Sequence, residues 1–285
     1  METFNIKKKL TTREVQLIEL DMLKEFIKIC EANKITWYMG YGTLLGAVRE
    51  KGFIPWDDDF DILMPRKDYD RFCDIALRVL PKDLSLQNCR TNKHYFYGGS
   101  FLCKEGTYTC AKCFQHLKIH KGIYLDIFPI DNISSSNVQK KNYCNRVKKI
   151  DALIILRQRK DVFKKSDDGW NAKLKYMKNW ILRHLLLVIP ISLLTGIREK
   201  EVRKYNNIDT KLYVSSVMPY KADKEILRKS WFKEVVYFEF EGMKLPAFIG
   251  WHEYLRNLYG NYMIPPAKKD QHGHSVAYLL KKREG

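Results

Sequence analysis

The hydrophobic residues of the N-terminal region recur at helical spacing. From Thr11 to about Asn33, apolar side chains return every three or four residues, which is the period of an amphipathic α-helix. This stripe consists of Val15, Ile18, Met22, Phe26, Ile29 and Cys30. Thr11 and Glu14 have the spacing of a capping box, in which each side chain binds the other residue's backbone N–H. The pattern predicts that a helix opens the fold.

Beyond this helix, short apolar runs alternate with segments of helical spacing. Runs that are β-prone and bounded by turn residues predict strands, and amphipathic segments predict helices. The predicted strands are 35–39, the acidic segment around 59–62, 84–87, 95–103, 106–110 and 122–130, where the apolar run stops at Pro129. The predicted helices are 44–50 and 66–79. We therefore expect residues 1–133 to form an α/β core, a mixed sheet flanked by helices.

Residues 134–207 have a helical and strongly basic pattern, with a polar break at 166–169. This predicts an added layer of helices. Its most apolar stretch, 181–197, is shorter than the roughly 20 residues that span a bilayer. Lysine and arginine flank it on both sides, so it is either a buried helical hairpin or a segment that lies in a membrane interface.

Residues 208–285 form the last predicted part. Two strands, 235–240 and 243–248, surround the turn residues Glu241 and Gly242 and predict a β-hairpin. A helix follows from about Trp251 to Tyr259 and ends at Gly260, because glycine is favoured just after a helix. We expect this hairpin and helix to pack on the core.

Four aspartates, Asp57, Asp58, Asp59 and Asp61, lie within five positions. Side chains alternate across a strand, so Asp59 and Asp61 point to one side and Phe60 points into the core. Like charges this close destabilise a strand unless a cation lies between them, and carboxylate oxygens suit Mg²⁺ or Mn²⁺. The alternative is an acidic loop that caps a helix or faces water.

A glycine turn precedes these acids. Gly42 and Thr43 follow the strand 35–39 and open the helix 44–50. Backbone N–H groups at the start of a helix bind anions, and glycine allows an anion to approach the chain, so this turn is a candidate phosphate site. Arg49 and Lys51 are candidate phosphate ligands, with a solvated helix end as the alternative.

Asp126 is the single acid in the apolar strand 122–130. One interpretation is a carboxylate satisfied by backbone donors at a strand end. The functional interpretation makes it a third acid that faces Asp59 and Asp61 from a neighbouring strand. The two interpretations differ in whether the three carboxylates meet in space.

The composition indicates a substantial hydrophobic core and a strong net positive charge. The chain has 285 residues, of which 45% are apolar, enough for a substantial core and too many for a disordered tail. Its 51 Lys and Arg outnumber 33 Asp and Glu, a formal charge of +18 that attracts nucleotides, anionic glycans, nucleic acid or an anionic membrane. An evenly solvated basic surface without a special partner is the alternative.

The cysteines and histidines raise two further possibilities. Seven cysteines, an odd number, and an N-terminus without an apolar signal predict free thiols in a reducing, cytoplasmic setting. Zinc ligand spacing occurs once, but the gap between its two halves is short for a zinc finger. The candidate zinc ligands are Cys110, Cys113, His116 and His120. Near the C-terminus, Lys268, Lys269, His272 and His274 are either metal or phosphate ligands or an exposed basic tail.

Four runs of sequence carry a family resemblance. The runs YGTLLGAVREKGFIPWDDDFDILM, YLDIFPID and FEGMKLP, with YLRNLYGNYMIPP near the end, closely resemble the LicD family across nearly the whole chain. That family includes bacterial phosphocholine transferases that act on surface glycans, and it is related to fukutin and fukutin-related protein. The chain departs from the family's pattern at Asn261, where many relatives have an acid, and in its loosely matching histidines near the end.

The resemblance implies a nucleotidyltransferase-like fold and a set of site residues. The turn would be Gly42 and Thr43, the paired acids Asp59 and Asp61, and the third acid Asp126. All three acids would be catalytic and would hold the metal. Asp58 belongs to the same motif, and we expect it to contact substrate.

The function that the resemblance implies is transfer of a phospho-alcohol. The expected donor is CDP-choline, the acceptor is a hydroxyl of a surface glycan or its lipid-linked precursor, and CMP leaves. Asp126 would bind a second metal or take the hydroxyl proton. A nucleotidyltransferase that uses an NTP and releases pyrophosphate is one alternative. A non-catalytic nucleic-acid-binding protein is another, disfavoured because the acids of the best-defined motif repel phosphate.

Overall fold

The fold is described here from a computed structural model, which describes residues 6–109, 115–158, 170–215, 224–273 and 276–281. Within these ranges the chain forms helices and strands in mixed order, as an α/β fold does. The α-helices are α1 (Thr12–Ala32), α2 (Tyr41–Glu50), α3 (Arg66–Val79), α4 (Asn137–Gln158), α5 (Trp170–Leu187), α6 (Ile191–Val202) and α7 (Trp251–Tyr259). The α/β class predicted from the sequence is confirmed.

The strands belong to three sheets. Their bounds are β1 (Ile6–Lys9), β2 (Tyr38–Met39), β3 (Asp61–Pro65), β4 (Leu84–Gln87), β5 (Ser100–Lys104), β6 (Thr107–Thr109), β7 (Tyr124–Ile133), β8 (Leu212–Ser215), β9 (Ile226–Arg228), β10 (Val235–Phe240), β11 (Met243–Phe248) and β12 (Ala277–Leu280). The largest sheet has the order β2-β3-β7-β5-β4, with β8 and then β9 added beside β7. A small sheet joins β1, β12 and β6, and β10 pairs with β11. The pairing of β3 with β7 is parallel, whereas the other pairs are antiparallel.

Helix α1 begins as its sequence predicts. The Thr11 hydroxyl accepts the Glu14 N–H at 3.3 Å, and the Glu14 carboxylate accepts the Thr11 N–H at 2.9 Å. The capping box is therefore present, and it satisfies two N–H groups that have no partner within the helix. The apolar face of α1 packs into the main core, where Phe26 contacts the rings of Trp37 and Phe72.

Two predicted strands are corrected. The strand expected at 95–103 begins at Ser100, because the chain bends at Gly98 and Gly99. A side chain at Gly99 would lie 2.4 Å from the Ile127 carbonyl oxygen, so only glycine allows this approach. The apolar run does not stop the strand at Pro129, since β7 continues to Ile133. Proline is tolerated there because β5 pairing ends at Ile127 and β8 pairing begins at Ile130.

Helices α4, α5 and α6 form the added layer, packed against one another and against residues 96–97. No single described helix is long and apolar enough to cross a membrane. One pair of helices is long and apolar enough only when the two are taken together, and they meet at an angle of 96°. The pair consists of Tyr176–Leu187 and Ile191–Val202. The division of the chain at residues 133 and 207 stays a prediction.

The C-terminal part adds a hairpin and a helix to the core. Strands β10 and β11 meet at Glu241 and Gly242, whose φ angles of +49° and +78° match the two-residue turn that suits hairpins. Helix α7 ends at Gly260, where φ is +70° and the N–H bonds the Arg256 carbonyl oxygen. Buried Tyr254 and Leu255 of α7 belong to the main core. The predicted hairpin and helix are confirmed.

A buried ion pair joins α3 to β7. Arg66 donates from Nε and Nη2 to the two carboxylate oxygens of Asp131 at 2.7 and 2.6 Å, and Asp131 is fully buried. The Arg66 Nη1 atom also lies 3.5 Å from Glu199 of α6. Because two-point pairing holds both groups in one geometry, this contact fixes the helical layer to the strand that carries Asp126.

Replacing Arg66 with methionine should reduce the free energy of unfolding by about 3–5 kcal/mol, because Asp131 loses its cation and stays buried. Lys24→Met, which removes an exposed pair with Asp21, is the control and should cost less than about 1 kcal/mol. Urea unfolding of both variants measures the difference. Equal losses would contradict the role given to the buried pair.

Candidate metal centre

Three carboxylates meet at one end of the parallel strand pair. Asp61 is the first residue of β3, and it lies directly opposite Asp126 of β7. Asp59 precedes the strand. One oxygen from each of Asp59, Asp61 and Asp126 can be chosen so that all three lie within 4.8 Å of one another. The structure thus brings together the three acids that the sequence selected.

The local sequence explains why these acids converge. Phe60 and Ile62 are fully buried in the core, which turns the alternating acids to the opposite side. The Asp126 N–H bonds the Phe60 carbonyl oxygen at 2.9 Å, so β7 is paired to the segment before β3. Asp59 differs from the expectation in one respect, because it lies in the loop just outside the strand.

The glycine turn is bonded to Asp61. The Gly40 N–H bonds the Asp61 carbonyl oxygen at 3.0 Å, the Gly42 N–H bonds its carboxylate at 3.1 Å, and the Thr43 hydroxyl accepts its N–H at 2.7 Å. The start of α2 is therefore directed at Asp61, where the sequence predicted a substrate phosphate. An ideal side-chain carbon at Gly42 would lie 2.6 Å from a carboxylate oxygen of Asp57, so a larger residue here would displace the Asp57 side chain.

The C-terminal part supports this turn from outside. Tyr41 has a φ of +37°, a backbone conformation that is costly for a residue other than glycine. The Tyr254 hydroxyl of α7 accepts the Tyr41 N–H at 3.1 Å. The Tyr41 hydroxyl in turn donates to the buried carboxylate of Glu225 at 2.6 Å. These bonds hold the strained residue that positions Gly42.

The electrostatics of the three acids fit a divalent cation. Burial raises the pKa of Asp61 well above its ordinary value, and the negative charges of Asp59, Asp126 and Asp57 raise it further. The N–H of Gly42 opposes this shift only in part. A set of oxygen ligands with an excess of negative charge is the kind of site that Mg²⁺ or Mn²⁺ prefers. The residues present therefore fit a hard metal ion.

The candidate phosphate ligands lie in ion pairs of their own. The Arg49 side chain is 7% exposed, its Nε lies 2.6 Å from Glu50, and its Nη1 donates to a backbone carbonyl. Lys51 is 72% exposed and lies 3.3 Å from Glu239 of β10. Either side chain would have to leave its carboxylate partner in order to bind substrate. Their phosphate role stays a prediction, as does the substrate contact of Asp58.

The sequence reasoning missed one acid beside the centre. Glu19 of α1 is 1% exposed and lines a small cavity together with Asp58 and Asp59. The signal was present in the sequence, because Glu19 follows Val15 by four residues and precedes Met22 by three. A carboxylate within an apolar helical stripe is directed at the interior.

The zinc and histidine predictions are only partly covered by the described residues. Cys110, Cys113 and His274 lie outside them. His120 accepts the Gly122 N–H at its Nδ1 atom, and its Nε2 lies 3.1 Å from Glu105. The exposed His272 lies 3.1 Å from the Asp270 carbonyl oxygen. None of the five cysteines in the described ranges forms a disulfide.

Comparison with known proteins identifies the family. Residues 34–154 match the family model described as LicD/FKTN/FKRP, nucleotidyltransferase domain. The lipopolysaccharide cholinephosphotransferase LicD of Haemophilus influenzae is 32% identical over 280 residues, which cover 96% of this chain and 100% of that protein. This chain belongs to the LicD family. The LicD resemblance stated from the sequence, and with it the expectation of a phosphotransferase enzyme, is confirmed.

A second relative of this LicD family member matches over a shorter segment. An uncharacterized protein of Rickettsia prowazekii is 36% identical over 107 residues, or 37% of this chain and 36% of that protein. The LicD family model covers α2, β3 and β7, the elements that carry the glycine turn and the three acids.

Asp61→Asn tests the metal centre without substrate. Mg²⁺ at about 100 times its dissociation constant should stabilise the wild-type protein by about 2.7 kcal/mol, seen as a higher melting temperature. The variant should lose this shift and, without metal, should be at least as stable as wild type, because one of three repelling charges is gone. Thermal unfolding with Mg²⁺ and with EDTA measures both effects.

Asp21→Asn is the control, because Asp21 is exposed on α1 and its carboxylate pairs with Lys24 at 2.9 Å. It should keep the full Mg²⁺ shift. Equal Mg²⁺ shifts in Asp61→Asn and wild type would rule out a metal at these acids.

Proposed function

We propose that this chain transfers phosphocholine from CDP-choline to a hydroxyl of a cell-surface glycan or its lipid-linked precursor, and releases CMP. The observation that carries the proposal is the convergence of Asp59, Asp61 and Asp126 in a chain similar along 96% of its length to a lipopolysaccharide cholinephosphotransferase. Phosphoryl transfer depends mainly on positioning and on stabilising charge, and these acids supply a place for both.

The proposed reaction forms one P–O bond and breaks another. The acceptor hydroxyl oxygen attacks the phosphorus that carries choline, and the bond from that phosphorus to the bridging oxygen breaks. CMP leaves with the electron pair. Asp126 is the proposed acceptor of the hydroxyl proton. Asp59, Asp61 and Asp126 would hold Mg²⁺ or Mn²⁺, which when bound supplies positive charge to the phosphate oxygens.

Aromatic side chains beside the acids favour choline as the donated group. On β7, Tyr124 lies two residues before Asp126, and Phe101 of β5 lies directly opposite Asp126, so both share its face of the sheet. Their rings stack at 4.3 Å, and both residues keep part of their surface exposed. Aromatic faces attract a quaternary ammonium group, which cannot donate hydrogen bonds.

Product analysis tests this function. Purified protein with CDP-choline, Mg²⁺ and a lipopolysaccharide-type acceptor should release CMP, and no pyrophosphate should form from CTP. Each of the variants Asp59→Asn, Asp61→Asn and Asp126→Asn should lower kcat by more than about 100-fold. A loss of about 100-fold is the upper range for changing a residue that only supports a metal ligand, and these residues are the proposed ligands themselves. Asp21→Asn should keep wild-type turnover. Absence of CMP release with choline, ethanolamine and ribitol donors, from folded protein that binds Mg²⁺, would reject the proposal.

We also propose that the helical layer contacts an anionic membrane surface, where a lipid-linked acceptor would lie. One face of α5 is apolar and exposed, with residues recurring every three or four positions. This stripe consists of Leu174, Met177, Ile181, Leu185 and, just after the helix, Val188. Leu193 and Ile197 of α6 are exposed as well, 55% and 49%. Soluble surfaces seldom keep so many large apolar groups together.

Charge favours a lipid partner over an apolar protein partner. Lys178 of α5, Lys200 of α6 and Lys204 just beyond it are exposed near this apolar face. Apolar residues that enter the lipid boundary beside lysines that reach anionic headgroups are typical of interfacial helices. The bend of 96° would let the apolar corner at Val188 enter the interface while α6 turns back to the core. We therefore propose that the protein acts at the inner face of the membrane.

Vesicle flotation tests the membrane contact. Wild-type protein should float with vesicles that contain phosphatidylglycerol, and binding should weaken with salt because the lysines contribute. Leu185→Glu with Val188→Glu should abolish flotation, since both residues are highly exposed on the apolar face, 62% and 82%. Leu77→Glu, at a residue of α3 that is 56% exposed, should float as wild type does. Equal flotation of all three proteins would rule out this surface.

A further inference from the structure

A large groove lies between helix α4, strands β8 and β9 and helix α7, and we call it the α4–α7 groove. Its volume is about 830 Å³, within the range of about 300–1,000 Å³ that ligand sites occupy. The described residues of its wall include none of Asp59, Asp61 and Asp126. The groove is therefore distinct from the acidic centre.

Four cations line this groove. They are Lys140, Lys141, Lys148 and Arg228. Lys141 and Lys148 are seven residues, or about two helical turns, apart on one face of α4, and Arg228 belongs to β9. Lys24 and Lys28 elsewhere pair with carboxylates at 2.9 and 2.6 Å, but none of the four groove cations forms an ion pair with a described carboxylate. An excess of positive charge in a concave wall attracts anions.

The uncharged part of the wall suits a sugar. Asn137, Asn145 and Asn257 contribute amide groups, which both donate and accept hydrogen bonds and so match the hydroxyls of a sugar. The half-buried Trp231 adds a flat apolar ring with one N–H donor. A ligand that combines anionic groups, hydroxyls and ring faces fits this wall.

One acid in the wall favours a glycan over a nucleic acid. Glu253 of α7 lines the same groove. Its carboxylate accepts hydrogen bonds from hydroxyls, but it repels a strand that carries one phosphate per nucleotide. A glycan with a few separate anionic groups can meet the four cations and still present hydroxyls to Glu253.

The groove adjoins the support of the glycine turn. Leu212 lines the groove at the start of β8, and the Ser215 hydroxyl, three residues later, lies 2.8 Å from the Tyr41 hydroxyl. Three residues of strand cover roughly 10 Å. Helix α7 likewise carries Glu253 in the groove wall and, next to it, Tyr254, which accepts the Tyr41 N–H. An elongated ligand in the groove can therefore extend towards the turn beside the acidic centre.

We propose that the α4–α7 groove binds the anionic part of the glycan acceptor. Its four cations would bind phosphate or carboxylate groups of that glycan, and its amides and Trp231 would bind the sugar rings. The identity of the acceptor rests on the proposed function, whereas binding itself requires neither donor nor metal.

Isothermal titration calorimetry with deacylated lipopolysaccharide that retains its phosphates tests this binding. Lys140→Ala with Lys148→Ala should weaken binding by more than about tenfold, because one lost contact to a charged group is already worth about that factor. Lys82→Ala with Lys149→Ala is the control, since it removes the same charge from two exposed lysines outside the groove wall, and it should bind as wild type does. Removing the phosphates from the probe separates the two anions. A loss of wild-type affinity assigns the cations to phosphate, and an unchanged affinity assigns them to carboxylate.

Equal affinities of the two double variants would overturn the proposal. Tighter wild-type binding to a single-stranded RNA, lost in Lys140→Ala with Lys148→Ala, would also overturn it, because the groove would then be a nucleic-acid site.

The transferase reaction is judged separately from the groove. During turnover, Lys140→Ala with Lys148→Ala should raise the KM for the acceptor more than it lowers kcat, because binding is lost in the ground state and the transition state alike. CMP release with an unchanged acceptor KM in this variant contradicts the groove alone. Glycan binding by wild-type protein without CMP release contradicts the transferase reaction alone.

Discussion

The parallel pairing of β3 with β7 is the contact on which the rest of the site depends. It sets Asp61 opposite Asp126, so two buried aspartates face each other across one strand spacing. This register is costly without a counter-charge, because burial and like charge both oppose ionisation. The surrounding structure supplies the compensation, through apolar residues that fix the register and backbone N–H groups directed at Asp61.

Segments distant in sequence must meet for this register to be useful. Helix α1 approaches through Gln16, the turn before α2 bonds Asp61, and α7 holds Tyr41 through Tyr254. Each of these bonds joins a buried or half-buried group to the acidic centre or to its support. A charged centre of this kind is therefore assembled by the whole fold, and the three acids alone would repel one another.

Much of the fold and of the site could be predicted from residues that are close in sequence. The capping box, the hairpin turn at Glu241 and Gly242 and the period-two pattern around Phe60 are set by residues close in sequence, so their geometry follows from the sequence itself. The strand pattern predicted that Asp126 would face Asp61. The pairing of β3 with β7 in the structure places the two residues directly opposite each other. The predictions that were wrong or missing depended on contacts between residues that are distant in sequence. The predicted strand 95–103 starts only after Gly98 and Gly99, because Arg198 and the Ile127 carbonyl approach the chain there. Glu19 looks like an ordinary helix residue in the sequence, and only the fold shows that the aspartate loop lies beside it.

The contact at Gly98 also connects the two proposals about partners. An ideal side-chain carbon there would lie 2.4 Å from the guanidinium of Arg198, which belongs to α6 and is paired with buried Asp151 of α4. Residues just before Gly98 pack into the helical layer, and Phe101 just after it stacks on Tyr124 beside Asp126. A membrane-bound α5–α6 pair would thus sit one short, well-packed segment away from the acids. The same short segment therefore packs against the added helices at one end and against the strand that carries Asp126 at the other.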